Sequence, residues 1–482
     1  MIYMDEQIIL RVLSNEFNTQ WENGKVSGNR LQPFRRRDFY PLVEQIKNPK
    51  VTSIIGPRRV GKTTLLFQLI SHLIDEGVGP KRILYASLDN AYLKNAADEV
   101  IGDILGVYSK FVLKEDLRKL KDQVYVFFDE VQYVDEWQKK IKSWYDYRYK
   151  IKFIVSGSSS AMIQKGATHL VGRIHERLVL PLKFSDMLDC NNKDMEYFPL
   201  SKQIRDSFAL SVEKRNEKHF CKTIEDISYE LAKRENEMER ILQGYMIKGG
   251  YPELLGNNDY DACASELKDT ILSKSILDIV ERHGIRDISL LRYIIALIAS
   301  KSGSILTQNG IAQDLGVQRP TVVSHLEYLE NAFLVSRSSF YSKRLPTRER
   351  KEKKYYMNDV GMRNSMVGMM NDMLLKSPEI GHVAETLAFD HTRRLKFFIS
   401  GHQNVDVFYW RSDYGEIDMI LDPGPIPIEV KYQSKVDDSD SKTMKDFMSK
   451  HKSPFGIVVT RNELDLSDNI LRIPLRVYLL MC

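Results

Sequence analysis

The segment Gly56-Pro57-Arg58-Arg59-Val60-Gly61-Lys62-Thr63 constrains this chain more than any other, because it meets GxxxxGK[ST] at every specified position. A short β-branched run, Val51-Thr52-Ser53-Ile54-Ile55, precedes it, and Thr64-Leu65-Leu66-Phe67-Gln68-Leu69-Ile70, apolar on a helical face, follows. Strand, loop and helix in that order make a cradle for a phosphate chain. Glycines at 56 and 61 let backbone N–H groups turn inward, and the helix adds the positive end of its dipole. Lys62 is then expected at the β- and γ-phosphates and the Thr63 hydroxyl on Mg²⁺, with Thr64 in the same binding stretch.

A second motif agrees with the first. Val124-Tyr125-Val126-Phe127-Phe128 is an apolar strand that ends in Asp129-Glu130. Asp129 is placed to hold Mg²⁺, directly or through water, and Glu130 to polarise an attacking water. Asp-Glu after a strand is by itself an ordinary solvated turn. Behind a complete phosphate loop the pair makes a nucleoside triphosphatase site, with ATP and Mg²⁺ as the expected cofactors.

At 482 residues the chain exceeds one core, and domains of ~100–200 residues imply about three or four of them. Its 43% hydrophobic and 28% charged residues fit a globular protein in water. A net charge of +5 permits nucleic-acid binding without requiring it. The four cysteines, at 190, 221, 263 and 482, form no CxxC pair, so neither a zinc site nor a disulfide framework is expected. The apolar run Tyr293 to Ala299 is too short to span a bilayer. A cytoplasmic location without membrane contact is the expectation.

Residues 1–38 read as a loosely packed arm ending in Phe34-Arg35-Arg36-Arg37-Asp38. That basic cluster suits a nucleotide, a nucleic acid, a neighbouring subunit, or simply a solvated helix start. Over residues 39–190, strands at 51–55, 82–88, 124–128, 152–156 and 177–182 alternate with helical segments, which implies a parallel sheet with helices on both faces. Ser156-Gly157-Ser158-Ser159-Ser160 ends the fourth strand on the edge that carries the phosphate loop, and Ser156 is placed to sense a γ-phosphate.

Several stretches together resemble prokaryotic AAA-type ATPases of the group whose C-terminal half is nuclease-like. They are the arginine cluster, GPRRVGKTTLL, FFDEVQYVDEWQKKIKSWYD, IVSGSSSAMI, LVGRIHERLVLPLKFSDML and Gly249-Gly250-Tyr251-Pro252-Glu253. The resemblance spans about residues 34–435. It implies a γ-phosphate contact from Arg173 and assembly into a ring or other homo-oligomer.

Residues 191–288 are charged and helical in spacing, with a long helix expected over Glu225 to Leu242, and read as a helical lid or packing platform. Residues 289–354 read as a winged helix: an apolar helix at 290–299, a short helix at 307–314, a turn at Leu315-Gly316-Val317, a second helix at 321–331 and a wing strand at 333–341. Gln318, Arg319, Thr321 and Ser324 would face a groove of DNA, and the basic run Lys343 to Lys354 would lie at the wing tip on phosphates. Winged helices also serve as protein-packing modules.

Residues 355–482 form the last expected domain. A helix at 380–396 carries Glu385, and Pro423-Gly424 folds two strands into a hairpin in which Asp418 lies opposite Glu429. Glu429 and Lys431 share a face, so two acids and a lysine converge. With Glu385 nearby, Asp418 and Glu429 could hold Mg²⁺ or Mn²⁺ through oxygen, and Lys431 could stabilise developing charge. The arrangement looks like a PD-(D/E)XK nuclease, an α/β restriction-endonuclease-like fold. That resemblance makes Glu385 the supporting helix acid, Asp418 and Glu429 the metal ligands and Lys431 the catalytic lysine, with Gln433 assisting. The plain alternative is a surface hairpin with ordinary ion pairs, such as Lys431 with Glu416.

Three functions stay open from the residues. The first is an ATP-hydrolysing, metal-dependent nuclease or nucleic-acid-processing enzyme, with DNA the first expected partner. The second is an ATP-controlled DNA-binding switch with a silent nuclease fold. The third is a protein-remodelling ATPase.

Overall fold

The apolar runs of the first half assemble into a sheet because parallel strands covered on both faces need near-continuous apolar sequence. A computed structural model describes residues 6–94, 99–158, 172–191, 196–400, 406–413, 415–433 and 442–482. It divides into two units, Met1–Leu180 and Pro181–Cys482.

In the first unit, β1 (Val51–Ile55), β2 (Ile83–Ser87), β3 (Val124–Asp129), β4 (Ile151–Gly157) and β5 (Ile174–Leu178) pair in parallel in the order β2-β3-β4-β1-β5. Helices α1 (Phe39–Ile46), α2 (Lys62–Asp75), α3 (Val100–Val107) and α4 (Trp137–Asp146) accompany them. Leu84, Val126, Phe128, Phe153 and Val155 from the strands form one core with Ile101, Ile104, Trp137 and Ile141 from the helices. Since every strand runs the same way, Ile55, Asp129 and Gly157 end at one edge, which is where ligands bind in open α/β sheets.

Two expectations change here. The fifth strand starts at Ile174 rather than at 177, because it pairs with the whole of β1, from Val51↔Ile174 to Ile55↔Leu178. As an edge strand it carries the polar sequence IHERL, which hides it from a search for apolar runs. The arm is also not loose from residue 6 onward: Ile9, Val12, Leu13 and Trp21 lie in the core. Asn18 exchanges two 2.8 Å hydrogen bonds with the Tyr85 backbone, and the Trp21 indole donates to the Ile83 carbonyl at 2.8 Å. β2 is an edge strand with open backbone groups, and the arm satisfies them.

The second unit begins with helices α5 (Phe184–Asn191), α6 (Phe198–Lys214), α7 (Lys218–Leu231) and α8 (Glu235–Lys248). The long helix expected over 225–242 is therefore two, divided by a 3₁₀ turn at Ala232–Arg234. Further along come α9 (Ile288–Ser300), α10 (Gln308–Leu315), α11 (Arg319–Asn331), α12 (Leu345–Arg350), α13 (Val360–Val367), α14 (Ile380–Ser400) and α15 (Lys442–His451).

Among the described residues the strands of this unit make one nine-stranded sheet, in the order β13-β14-β12-β11-β10-β9-β7-β8-β6. They are β6 (Ile305–Leu306), β7 (Val335–Phe340), β8 (Lys353–Met357), β9 (Phe408–Ser412), β10 (Gly415–Leu421), β11 (Ile426–Lys431), β12 (Gly456–Thr460), β13 (Asp465–Ser467) and β14 (Ile470–Pro474). Parallel pairing of β7 with β9, Ser339↔Phe408 and Phe340↔Tyr409, joins the two halves of the sheet. The division expected between 354 and 355 therefore falls inside β8. The basic run is not one wing tip: part of it is α12, and its last two lysines, Lys353 and Lys354, are buried in β8.

The motif Gly249-Gly250 is a joint within this unit. A side chain begun at Gly250 would place Cβ 2.1 Å from the Leu182 carbonyl oxygen, and one at Gly249 would meet the Asp359 carboxylate at 2.3 Å. Asp359 accepts the Gly250 N–H at 2.8 Å and the Met362 N–H at 2.9 Å, tying the end of α8 to the start of α13.

Candidate functional site

The loop from Gly56 to Gly61 links β1 to α2 as the motif requires, and Arg59 and Gly61 both take positive φ, 61° and 90°. Gly56 admits no side chain, because its Cβ would lie 1.8 Å from the Val179 carbonyl oxygen. The Lys62 ammonium is buried inside the loop's curve and donates to the carbonyls of Gly56 (3.0 Å) and Pro57 (2.7 Å). Arg58 reaches the Tyr133 hydroxyl at 3.0 Å, and Pro57, Val60 and Thr64 complete the stretch. Val60 lends its carbonyl to Arg36 at 2.7 Å, and Arg36 also grips the Leu180 carbonyl and Asp38. Of the functions open to the arginine cluster, Arg36 thus has a structural one: it braces the phosphate loop from behind.

Asp129 stands at the end of β3 with both oxygens engaged. Oδ2 accepts from the Thr63 hydroxyl at 2.7 Å and the Tyr85 hydroxyl at 3.0 Å. Oδ1 accepts from the Glu130 N–H at 3.1 Å and from the Ser156 hydroxyl. Ser156, expected at a phosphate, is fully buried and instead orients Asp129. Tyr85 does the same from β2 and gave no signal in the sequence, where it is one more apolar-looking strand residue. Burial, then the Asp129 carboxylate, raises the Tyr85 phenol well above its ordinary value, so it stays a donor.

Glu130 sits at φ 55°, an uncommon conformation for a side chain that must be aimed. Burial raises its proton affinity and the Lys62 ammonium opposes the rise. Its carboxylate accepts from the Gln132 amide, which also donates to the Ser158 hydroxyl at 3.0 Å. Ser159, Ser160 and the remainder of IVSGSSSAMI, with Leu170 and Val171, lie outside the described residues. Arg173 does not reach this edge. Its carbonyl accepts the Val51 N–H where β1 begins, and its guanidinium pairs with Asp146 at 3.1 Å, so the length of β1 separates it from the loop.

In the second unit, Glu385 on α14, Asp418 on β10, and Glu429 and Lys431 on β11 do converge. The hairpin register runs Met419↔Ile428, Ile420↔Pro427 and Leu421↔Ile426, so Asp418 falls opposite Glu429 as the turn position requires. The Asp418 N–H donates to Glu429 at 3.3 Å, the Val430 N–H donates to Asp418 Oδ2 at 2.9 Å, and Lys431 pairs with Glu429 at 3.2 Å. Gln433 directs its own N–H to the Lys431 carbonyl at 2.7 Å.

A residue absent from the sequence reading joins them. The Lys354 ammonium, on β8, lies 2.5 Å from Glu416, 3.4 Å from Glu385 and 3.4 Å from Asp418. Tyr356, two residues along and on the same face, donates to Glu385 at 2.8 Å. Glu416 therefore pairs with Lys354 and not with Lys431. Burial and the neighbouring Asp418 push the carboxyls of Glu385 and Glu429 up, while burial of the Lys354 ammonium is outweighed by Tyr356 and then by the surrounding carboxylates, which together raise it well above its ordinary value. Among the described residues no group of three or more His, Cys, Asp and Glu is arranged to hold a metal ion. Nor, among them, is any helix long and apolar enough to cross a membrane.

Comparison with known proteins bears on the first unit. Residues 48–188 match a family model described as an AAA domain, while 239–373 and 380–478 match two models described as domains of unknown function. An uncharacterized protein of Methanocaldococcus jannaschii, MJ1544, is 28% identical over 379 residues, covering 77% of this chain and 72% of its own length. An uncharacterized protein of Haemophilus influenzae is 24% identical over 348 residues, covering 69% and 73%. A solved structure, the Walker-type ATPase PABY2304 of Pyrococcus abyssi, aligns with 70% of this chain and 98% of its own at 18% identity and a TM-score of 0.39. With the phosphate loop and Asp129 in place, the AAA-matching segment is a P-loop ATPase domain of α/β fold.

Proposed function

We propose that the chain couples ATP hydrolysis to the binding of nucleic acid, DNA before RNA, and that α9 to α11 with β6, β7 and β8 form the winged helix that binds it. The observation that carries this reading is the start of α11. Val322, His325, Leu326 and Leu329 turn inward, while Gln318, Arg319 and Pro320 are exposed and Thr321 and Ser324 half-buried beside them. Between β7 and β8, Lys343, Arg344, Arg350 and Lys351 are exposed cations suited to phosphates.

In the ATPase domain, Lys62 exchanges its loop carbonyls for phosphate oxygens, and Glu130 orients water. The Thr63 and Asp129 oxygens, 2.7 Å apart, are hard donors that fit Mg²⁺, which when bound supplies neutralising charge to the phosphates. Assembly into a homo-oligomer belongs to the same proposal.

The test is fluorescence anisotropy of a labelled duplex with the full chain, with and without ATP, from about 50 to about 200 mM salt. Affinity is expected to fall about tenfold or more over that range, and to fall in Arg344→Ala/Arg350→Ala at every salt concentration. Absence of binding at low salt, or binding indifferent to salt, would remove the proposal and favour a protein-remodelling ATPase.

A second reading, in which the C-terminal domain cuts the nucleic acid, is favoured by the convergence of Glu385, Asp418, Glu429 and Lys431 in a PD-(D/E)XK-like arrangement. As arranged, the cluster does not fit a divalent ion, because a lysine ammonium already lies among its oxygens. Cutting of the duplex with Mg²⁺ or Mn²⁺ that disappears in Asp418→Ala would establish this reading; its absence with both metals leaves the switch.

A further inference from the structure

We infer that Lys354 is the built-in cation of the C-terminal carboxylate cluster, and that a divalent ion reaches Glu385, Glu416 and Asp418 only by displacing its ammonium group. The inference holds whether or not the domain cuts nucleic acid, since it concerns what neutralises the acids.

The ammonium is brought in from outside the hairpin, on β8, which the parallel pairing of β7 with β9 joins to the sheet that holds β10, with β9 and β7 between them. Its side chain is only 2% exposed, so it is no surface partner. An ammonium has three donors, and here three carboxylates face it. Such a group, stripped of water, is stable only where acids offset the cost. The enclosure is completed from another side by Gly303, where a Cβ would lie 2.8 Å from Glu385 Oε1. Any side chain there would push the carboxylate off the lysine.

A hard divalent ion needs the same oxygen lone pairs that the ammonium uses. Two cations cannot share them at a few ångströms without strong repulsion. Lys431 does not change this balance, because it is engaged with Glu429 at 3.2 Å. The position a metal would take is therefore in competition with a residue of the chain itself.

The experiment uses the 482-residue chain without nucleotide and Mn²⁺ as the probe, reading free Mn²⁺ by electron paramagnetic resonance and unfolding temperature by circular dichroism. Lys354→Met is expected to bind Mn²⁺ at least about tenfold more tightly than wild type. Mn²⁺ should also raise its unfolding temperature more than it raises that of wild type. Adding Asp418→Asn to Lys354→Met should cancel both gains. Lys354→Met leaves uncompensated acids and could fail to fold, so Lys354→Met/Glu416→Gln, which removes one cation and one anion, is measured beside it. The inference is overturned if both variants bind Mn²⁺ no more tightly than wild type, or if the gain survives Asp418→Asn. Unfolding of both variants that Mn²⁺ does not reverse also counts against it.

Discussion

Lys62→Ala is expected to lower ATP turnover about a hundredfold or more, the usual scale when one preorganised charge at a transferring phosphate is removed. The structure says why Arg58 and Arg36 do not replace it. Lys62 is buried within the loop, with its ammonium held by the carbonyls of Gly56 and Pro57. Arg58 is directed at Tyr133 and Arg36 braces the loop from behind. Lys62→Arg should fail nearly as badly, because a planar guanidinium does not fit a position shaped for a compact ammonium. Steady-state phosphate release measures this, with binding of a labelled ATP followed in parallel. Turnover within about threefold of wild type would contradict the assignment of the loop as the site of hydrolysis.

The second large effect is on stability. Gly250→Ala is expected to destabilise the second unit by more than about 3 kcal/mol, because the new methyl group has no soft direction to move in. It would lie 2.1 Å from the Leu182 carbonyl oxygen, which also accepts the Tyr245 hydroxyl at 2.9 Å. The Gly250 carbonyl accepts the Leu182 N–H at 2.7 Å, so the two backbones are already locked together. Gly244, in the body of α8, has nothing within 4 Å of its Cβ position, and there the same substitution should stabilise by up to ~1 kcal/mol. Chemical unfolding followed by circular dichroism compares the two. Equal effects of the same sign would refute the account of the joint.

The pair Gly249-Gly250 also marks how far sequence reading reaches. Gly249-Gly250 stands out in the sequence as part of a motif, yet nothing local says that Leu182 and Asp359 are the atoms that forbid a side chain. Tyr85 and Lys354 are harder still. Tyr85 sits in an ordinary apolar strand, and its hydroxyl finds Asp129 only because β2 and β3 pair with Ala86 beside Phe128. Lys354 was hidden in a run of seven basic residues among twelve, whose natural reading is solvent. The signal that could have separated it is the Tyr355-Tyr356-Met357 that follows, aromatic and apolar residues with strand rather than loop character. Arg173 shows the opposite case, since a lone arginine has no position until its strand has neighbours, and here it pairs with Asp146.

What the sequence determined by itself was local. The phosphate loop between strand and helix, the Asp129-Glu130 strand end, and the register that sets Asp418 against Glu429 all follow from short-range geometry, where glycine, turn position and side-chain period leave few choices. What only the tertiary structure decided was which distant groups face one another. The order of strands in a sheet, such as β7 beside β9, depends on burying whole faces rather than on any local pattern. That order placed a lysine among three carboxylates, and so changed what those acids can do.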